Sequence, residues 1–258
     1  MPPVHINSAA RVLLWTGLPL IAVLAVVSLF VGVSALSPAA LWQEGMSGRS
    51  AQILFTSRLP RTLALMLAGA GMAMAGLVMQ ILVRNRFVEP STVGTTEAAG
   101  LGILLVMLFA PDLPVLARML VAAVFGLAGT ALFLAVLRAV PLRSMLMVPL
   151  IGILLSGVIG AVSTFIAYRY DFLQSLTAWM QGDFSIILRG RYEMLWLAVG
   201  MLVALYIAAD RFTVAGLGKE VATSLGLNHR GVVWLGLGLV AVAVAVAGFV
   251  YLRAGAPM

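Results

Sequence analysis

The 258-residue sequence contains no cysteine, and charged and histidine side chains are scarce. The absence of cysteine excludes disulfides, thiolate nucleophiles and cysteine-ligated metal sites. With His5 and His229 as the only histidines, neither a HExxH zinc site nor a histidine-based catalytic pair can form. Lys219 is the only lysine and lies in a polar stretch, which disfavours a retinal protein with a Schiff-base lysine. No metal site is predicted.

Apolar residues dominate what remains. They occupy 62% of the positions and charged residues only 10%, with a mean hydropathy of +1.11, whereas a soluble domain has about 45–50% apolar residues. A bilayer crossing needs about 20 apolar residues. The sequence contains seven such segments, of which the third is short for a full crossing: approximately 12–36, 62–83, 98–110, 115–138, 145–168, 194–209 and 232–252. The prediction is an all-α polytopic transmembrane bundle, with residues 1–258 as a single domain.

The first segment is too long for the apolar part of a cleavable signal peptide, so we interpret it as a first span. The net charge of +7 comes from side chains that separate apolar runs, which indicates membrane flanks and a lipid partner instead of nucleic acid. With a cytoplasmic N-terminus, basic residues divide evenly between the two faces, so the positive-inside rule does not decide the orientation. An outer face this basic suggests an acidic partner outside.

Small residues recur at helix-packing spacing, as in Gly152 with Ser156, Gly126 with Thr130, and Gly69 with Ala73. Helices in lipid associate through close backbone approach at small side chains, so this pattern predicts a packed bundle. It indicates no specific chemistry.

The fragment around Gly218 and Lys219 has a weak similarity to a phosphate-binding loop. Thr213 stands where the first glycine of that motif belongs, and Glu220 replaces its Ser or Thr. The chain is therefore not expected to hydrolyse ATP, and active transport would need another subunit or an ion gradient.

Four ordered motifs carry a resemblance to a known family. They are SRLPRTLA followed by AGAGMAMAGLVMQ within residues 57–80, NRFVEPSTVG at 85–94, WMQGDFS at 179–185 and GKEVATSLGL at 218–227. The chain resembles the FecCD-type permeases of iron–siderophore and cobalamin ABC importers over residues 50 to about 248. The NRFVEP variant is more similar to the ferric-siderophore branch. Family members have about ten spans, and this chain departs from their pattern after Gly248, so we expect it to be shortened at the C-terminus.

The resemblance implies partner sites at both faces of the membrane. Arg58 and Arg61 match family arginines that dock a periplasmic or lipoprotein substrate-binding protein, although interfacial snorkelling is the alternative for both. Pro60 between them fits a helix start. The 210–230 stretch matches the cytoplasmic segment that couples to the ATPase subunit, against the alternative of a solvated loop. Its candidate coupling residues are Gly218, Lys219, Glu220, Ala222, Leu225 and Gly226, with a short helix expected at 221–225.

Three residues are candidates for a translocation pathway: Glu97, Met79 and Gln80. A carboxylate within an apolar segment is costly enough to suggest function. Glu97 also lies near the predicted start of the third helix, where it would complement the helix dipole, so a structural role stays open. Methionine in an apolar helix is more often packing than pathway.

The leading hypothesis is an ABC importer permease that carries ferric siderophore across the bacterial inner membrane. Such a chain would pair with a second copy or a related permease, bind no cofactor itself, and use ATP through its partner subunit. The alternative is an ion-gradient-driven secondary transporter, which would need membrane-embedded ionisable groups. An intramembrane enzyme is disfavoured because the catalytic constellations are missing.

Overall fold

The computed structural model describes residues 8–32, 37–45, 47–141, 144–181 and 195–252. Within these ranges the chain is almost entirely helical and contains no strand, which confirms the all-α prediction. The described residues divide into two compact units, one reaching Leu63 and the other beginning at Ala64. Residues 182–185 of the WMQGDFS motif lie outside the described ranges.

The first unit contains α1 (Ser8–Phe30), α2 (Pro38–Glu44), α3 (Arg49–Ile53), a π-helical turn (Leu54–Arg58) and the first residues of α4 (Leu59–Val83). Pro38 occupies the start of α2, where its missing N–H costs nothing. The Ser37 hydroxyl accepts a hydrogen bond from the Ala40 amide at 3.1 Å and caps that helix.

Pro60 is the second residue of α4, as the predicted helix start requires, but no break in the helical run precedes it. The helical run extends from Arg49 to Val83 and passes through the π-helical turn directly before the proline. In this turn the Leu59 amide bonds to the Leu54 carbonyl, five residues back. A proline inside a helix lacks an N–H and crowds the carbonyl of the fourth residue before it. The wider turn accommodates that break in the hydrogen-bond ladder, so the helix continues.

The Glu44 carboxylate caps the N-terminus of α3. Its Oε2 accepts a hydrogen bond from the Ser50 amide at 2.8 Å. This bond, the Ser50 hydroxyl and the nearby Arg49 charge together lower the pKa of Glu44 below its ordinary value of 4.5.

We expect acidification to release this cap. A carboxylate with a lowered pKa stabilises the folded segment above about pH 4.5, and that stabilisation is lost as the pH falls through the lowered value. The protection factor of the Ser50 amide, measured by hydrogen exchange as a function of pH, should therefore decrease in acid in the wild type. The Glu44→Gln variant should show a flat protection profile, and the same acid-dependent loss in that variant would contradict the capping role.

Within the described residues, the second unit contains the remainder of α4 and seven further helices. They are α5 (Thr95–Phe109), α6 (Val115–Ala139), α7 (Met147–Arg169), α8 (Leu173–Gln181), α9 (Leu195–Gly216), α10 (Lys219–Ser224) and α11 (His229–Leu252). Among the described residues, six helical runs are long and apolar enough to cross a membrane: Arg11–Phe30, Arg49–Val83, Leu116–Ala139, Met147–Arg169, Trp196–Gly216 and His229–Ala247. These helices fit a multi-pass membrane protein.

The third predicted segment is short, as expected. Helix α5 has 15 residues and therefore rises about 22 Å, against roughly 30 Å for the hydrocarbon core. Its first turn packs within the second unit, where the Thr95 and Thr130 hydroxyls lie 2.6 Å apart and are buried. Neighbouring helices shield this end, so the polar groups of α5 need not face lipid.

A continuous apolar core joins α4, α6, α7, α9 and α11 in the second unit. Helix α9 contributes residues that repeat at three- and four-residue spacing, namely Leu205, Ala208, Phe212 and Ala215. This stripe extends the helix seven residues beyond the predicted end at position 209. Asp210 and Arg211 consequently lie on α9 instead of in a polar loop.

His229 lies in the 210–230 stretch and ahead of the predicted seventh segment, 232–252, but it is the first residue of α11. The Asn228 side chain accepts a hydrogen bond from the Gly231 amide at 3.1 Å, and its carbonyl accepts one from the Val232 amide at 3.0 Å. Asparagine at this position caps the free amides of a first helical turn. With this cap, α11 begins three residues before the predicted apolar segment 232–252.

The small-residue pattern has two outcomes. Gly152 and Gly126 lie against neighbouring backbone, so a Cβ at Gly152 would collide with the Thr92 carbonyl and one at Gly126 would lie 3.4 Å from the Thr95 carbonyl. Gly69 has no neighbour within 4 Å of the position a Cβ would take. Close packing is thus built at α6 and α7, while Gly69 does not take part in it among the described residues.

Candidate docking, coupling and pathway sites

The predicted coupling segment folds as a short helix between two glycines. Helix α10 is preceded by Gly218, whose φ is +123°, and followed by Gly226, whose φ is +77°. Side-chain-bearing residues rarely adopt these angles, so both positions favour glycine. The Leu227 amide closes the C-terminal turn on the Ala222 carbonyl at 2.9 Å. The expected short helix is present, and it begins at Lys219, two residues earlier than predicted.

The two faces of α10 differ sharply. Ala222 is fully buried, which anchors the helix to the second unit. Leu225 is 65% exposed and Val221 45% exposed, and Leu217 just before the helix is equally open. Lys219 and Glu220 are also exposed. The segment therefore presents an apolar ridge with flanking charges, which is the chemistry expected of a surface that enters a partner's cleft.

The NRFVEPSTVG motif forms a tightly bonded loop between α4 and α5. Asn85 is buried, and its side-chain amide donates to the Met145 carbonyl at 2.6 Å while its Oδ1 accepts from the Phe87 amide at 2.9 Å. Val88 and Val93 are fully buried. The motif that carries the family resemblance thus serves packing, and it ties the α4–α5 loop to the α6–α7 loop at one end of the bundle.

Further bonds inside this loop hold its second half. The Thr92 hydroxyl lies 2.9 Å from both the Glu89 amide and the Glu89 carbonyl. The Ser156 hydroxyl of α7 donates to the Ser91 carbonyl at 3.1 Å. Gly94 then turns into α5 with a φ of +82°. These bonds leave the loop little freedom to shift.

The three pathway candidates occupy different environments. Met79 is fully buried in the apolar core. Gln80 lines a groove of about 550 Å³ together with Glu89 and Ser91. Glu97 lies in the first turn of α5, and its Oε2 is buried without a hydrogen-bond partner. The structure therefore does not bring the three side chains into one site, and their pathway role stays a prediction.

The two docking candidates belong to the first unit. Arg58 is only 6% exposed and lies in the π-helical turn, where its guanidinium donates a hydrogen bond to the Val31 carbonyl after α1. Arg61 is half-buried, and its Nε is buried without a hydrogen-bond partner. The two arginines are therefore not equivalent. Arg58 is hydrogen-bonded to the segment that follows α1, whereas the Nε–H of Arg61 has no hydrogen-bond partner.

Comparison with known proteins places this arrangement in a family. The FecCD transport family model matches residues 20–251. The chain belongs to the FecCD transport family. It is 43% identical to the petrobactin import system permease protein YclN of Bacillus subtilis, over 84% of this chain and 68% of the relative. It is 46% identical to the petrobactin permease FatD of Bacillus anthracis, over 87% of this chain and 65% of that protein.

Two further relatives bear on the branch and the fold. The ferric-anguibactin permease FatD of Vibrio anguillarum is 41% identical over 75% of this FecCD chain and 62% of its own length. A solved structure of a metal-chelate type ABC transporter in an inward-facing conformation superposes with a TM-score of 0.64 at 26% identity, covering 92% of this chain and 75% of that one. The names of these relatives, for petrobactin and ferric-anguibactin import, agree with the branch expected from the NRFVEP variant. This FecCD chain spans 62% to 68% of the length of these three curated permeases.

Proposed function

We propose that this chain is a transmembrane permease subunit of a binding-protein-dependent ABC importer for ferric siderophore. The observation that carries the proposal is the built α10 segment, a short helix anchored by Ala222 that exposes Leu225 and Val221 at one end of an apolar bundle. Relatives named for petrobactin and anguibactin import supply the substrate class. Within this proposal the chain performs no bond chemistry and binds no cofactor of its own.

The proposed cycle uses partners on both sides of the bilayer. A substrate-binding protein delivers the ferric siderophore at the outer face, and a cytoplasmic ATPase subunit contacts α10. A second permease copy or a related permease completes the pathway. Transport then follows from shifting the chain between inward- and outward-facing states, which each partner biases by its differential affinity for them.

Co-purification and energisation together test this function. The chain is co-expressed with the ATPase and binding protein of a ferric-siderophore importer, isolated through a tag on the chain, and assayed for ferric-siderophore uptake in vesicles. We expect the ATPase to co-purify and uptake to require ATP. Uptake that runs on a proton or sodium gradient without any ATPase would overturn the proposal in favour of a secondary transporter.

Charge reversal at Arg61 is expected to weaken association with the binding protein by about tenfold or more. A guanidinium paired with a carboxylate across an interface contributes strongly to the free energy of binding, and the reversed charge would repel that carboxylate. The measurement is a pull-down or surface-binding titration of Arg61→Glu in detergent. The matched control is Arg49→Glu, which makes the same charge change at an exposed position in the same unit.

Arg58 is expected to behave differently from Arg61. Its guanidinium is buried against the Val31 carbonyl, so Arg58→Glu should lower the thermal stability of the chain as well as binding. If Arg61→Glu and Arg49→Glu bind the binding protein equally well, docking at Arg61 is refuted.

A further inference from the structure

The end of the bundle that carries α10 also contains a basic cavity. The cavity measures about 410 Å³, and four basic side chains from three helices line it: Arg138, Lys219, His229 and Arg230. They come from the last turn of α6, the start of α10 and the first turn of α11. Residues separated by some 80 to 90 positions in sequence thus share one site.

Nothing on the described part of the chain neutralises this charge. No carboxylate is among the described residues that line the cavity, and none of the four basic side chains makes an ion pair within that part of the chain. The Nδ1 atom of His229 is buried and lacks a hydrogen-bond partner. Guanidinium groups held together without counter-charges favour an anion with several acceptor oxygens, such as a phosphate.

The interior of the cavity is apolar, unlike its rim. Leu134 lies one turn before Arg138 on α6, and Val233, Trp234 and Leu237 continue from Arg230 along one face of α11. Two turns of helix separate His229 from Leu237, a depth of roughly 12 Å. The cavity is therefore graded from a charged mouth at the helix ends to an apolar wall within the spans.

Trp234 lies at the level where the lining of the cavity changes from basic to apolar. Its side chain is 48% exposed and lies one turn inside α11 from Arg230. Tryptophan is enriched at the membrane–water interface, where its ring faces the acyl region and its N–H faces the headgroups. The basic residues then lie at headgroup height, while the partly exposed Leu134 and Val233 lie at the height of the acyl chains.

We propose that this cavity binds the phosphate headgroup of one anionic phospholipid, with the acyl chain along Leu134, Val233 and Trp234. A free phosphate would fill only the charged mouth and leave the apolar wall uncovered. A soluble protein partner would contact the bundle end without reaching that depth. Only a phospholipid matches both the charge and the grading, and juxtamembrane basic clusters attract such lipids.

A lipid-binding titration tests the proposal on the full chain in neutral detergent. The probe is phosphatidylglycerol with a fluorophore on one acyl chain, compared with phosphatidylcholine carrying the same chains, at matched ionic strength. The test variant is R138Q/R230Q, which leaves Lys219 and the coupling segment intact. The matched control is R86Q/R211Q, which removes two exposed charges from the same end of the bundle but outside the cavity.

We expect the wild type to prefer phosphatidylglycerol and R138Q/R230Q to lose about thirtyfold in affinity, since each juxtamembrane charge is worth about fivefold. The loss of affinity in the R86Q/R211Q control should be about ten times smaller than the loss in R138Q/R230Q. R138K/R230K, which keeps both charges, should bind within a few-fold of the wild type and shows that folding is intact. An excess of glycerol phosphate should not displace the labelled lipid.

Each of the opposite results overturns the proposal. Equal binding of phosphatidylcholine, or equal losses in R138Q/R230Q and R86Q/R211Q, would mean that only general surface charge is involved. Full displacement by glycerol phosphate would identify a free-anion site. Normal lipid affinity in R138Q/R230Q together with lost ATPase co-purification would assign the cavity to a protein partner.

Discussion

Replacing Leu225 by aspartate is expected to abolish co-purification with the ATPase subunit and to reduce ferric-siderophore uptake to background. The side chain is 65% exposed, so the substitution leaves no cavity within the chain itself. At a partner's cleft it removes a buried leucine, worth about 1.5–3 kcal/mol, and forces a carboxylate into the same place. The combined loss corresponds to a decrease in affinity on the order of a hundredfold or more.

The control for this prediction is Ser144→Asp. Ser144 is exposed in the α6–α7 loop at the same end of the bundle, and it receives the same charge. Size-exclusion chromatography and thermal melts of both variants should match the wild type, since neither position is packed. ATPase binding that survives Leu225→Asp, or that Ser144→Asp reduces equally, would show that α10 is not the coupling surface.

Substitution of Ala222 should fail for a different reason. Its side chain is fully buried, so a bulky replacement would displace α10 from the second unit before any partner arrives. A loss of ATPase binding at Ala222 therefore reports on the anchoring of the segment, whereas a loss at Leu225 reports on its outer surface. The contrast identifies Leu225 as the more informative of the two positions.

The largest stability effect is expected at Gly152. A methyl group there would collide with the Thr92 carbonyl, and that carbonyl belongs to a loop held by the Glu89–Thr92 bonds and by the Ser156 hydroxyl on the Ser91 carbonyl. Because backbone on both sides must move, Gly152→Ala should cost about 2–3 kcal/mol and lower the melting temperature in detergent by roughly 5–10 °C.

Gly157→Ala supplies the comparison within the same helix. No atom lies within 4 Å of the position its Cβ would take, so the alanine meets no obstacle and favours the helix by about 0.5–1 kcal/mol. Thermal denaturation of both variants under identical detergent conditions measures the difference. Equal melting temperatures for the two would show that α7 does not depend on close approach to the Thr92 loop.

Segment-level features were predictable from the sequence because they are local. Apolar runs of about 20 residues identify membrane helices, and glycines at 218 and 226 bracket a short helix because their backbone angles exclude most side chains. The NRFVEP motif indicated similarity to the ferric-siderophore branch of the family. The errors lay at helix boundaries. A π-helical turn continues the helix ahead of Pro60, a buried stripe extends α9 past Asp210, and α11 begins at His229 after an asparagine cap.

The roles of individual side chains depended on contacts between distant segments. Arg58 and Arg61 look alike in sequence, yet only the position of Val31 shows that Arg58 is buried and bonded. Met79 and Gln80 are neighbours in sequence, but one lies in the core and the other at a groove. The convergence of Arg138, Lys219 and Arg230 on one cavity likewise depends on helix packing and is not visible in the sequence.

The sequence by itself determined that this chain is a multi-pass helical membrane protein with the motifs of a ferric-siderophore permease, since hydropathy and motif order are properties of the linear chain. Only the tertiary structure decided where the polar groups meet: that NRFVEPSTVG is a packed loop, that α10 exposes Leu225, and that four basic residues surround one cavity. Burial and charge convergence arise from helix packing, which no single segment encodes.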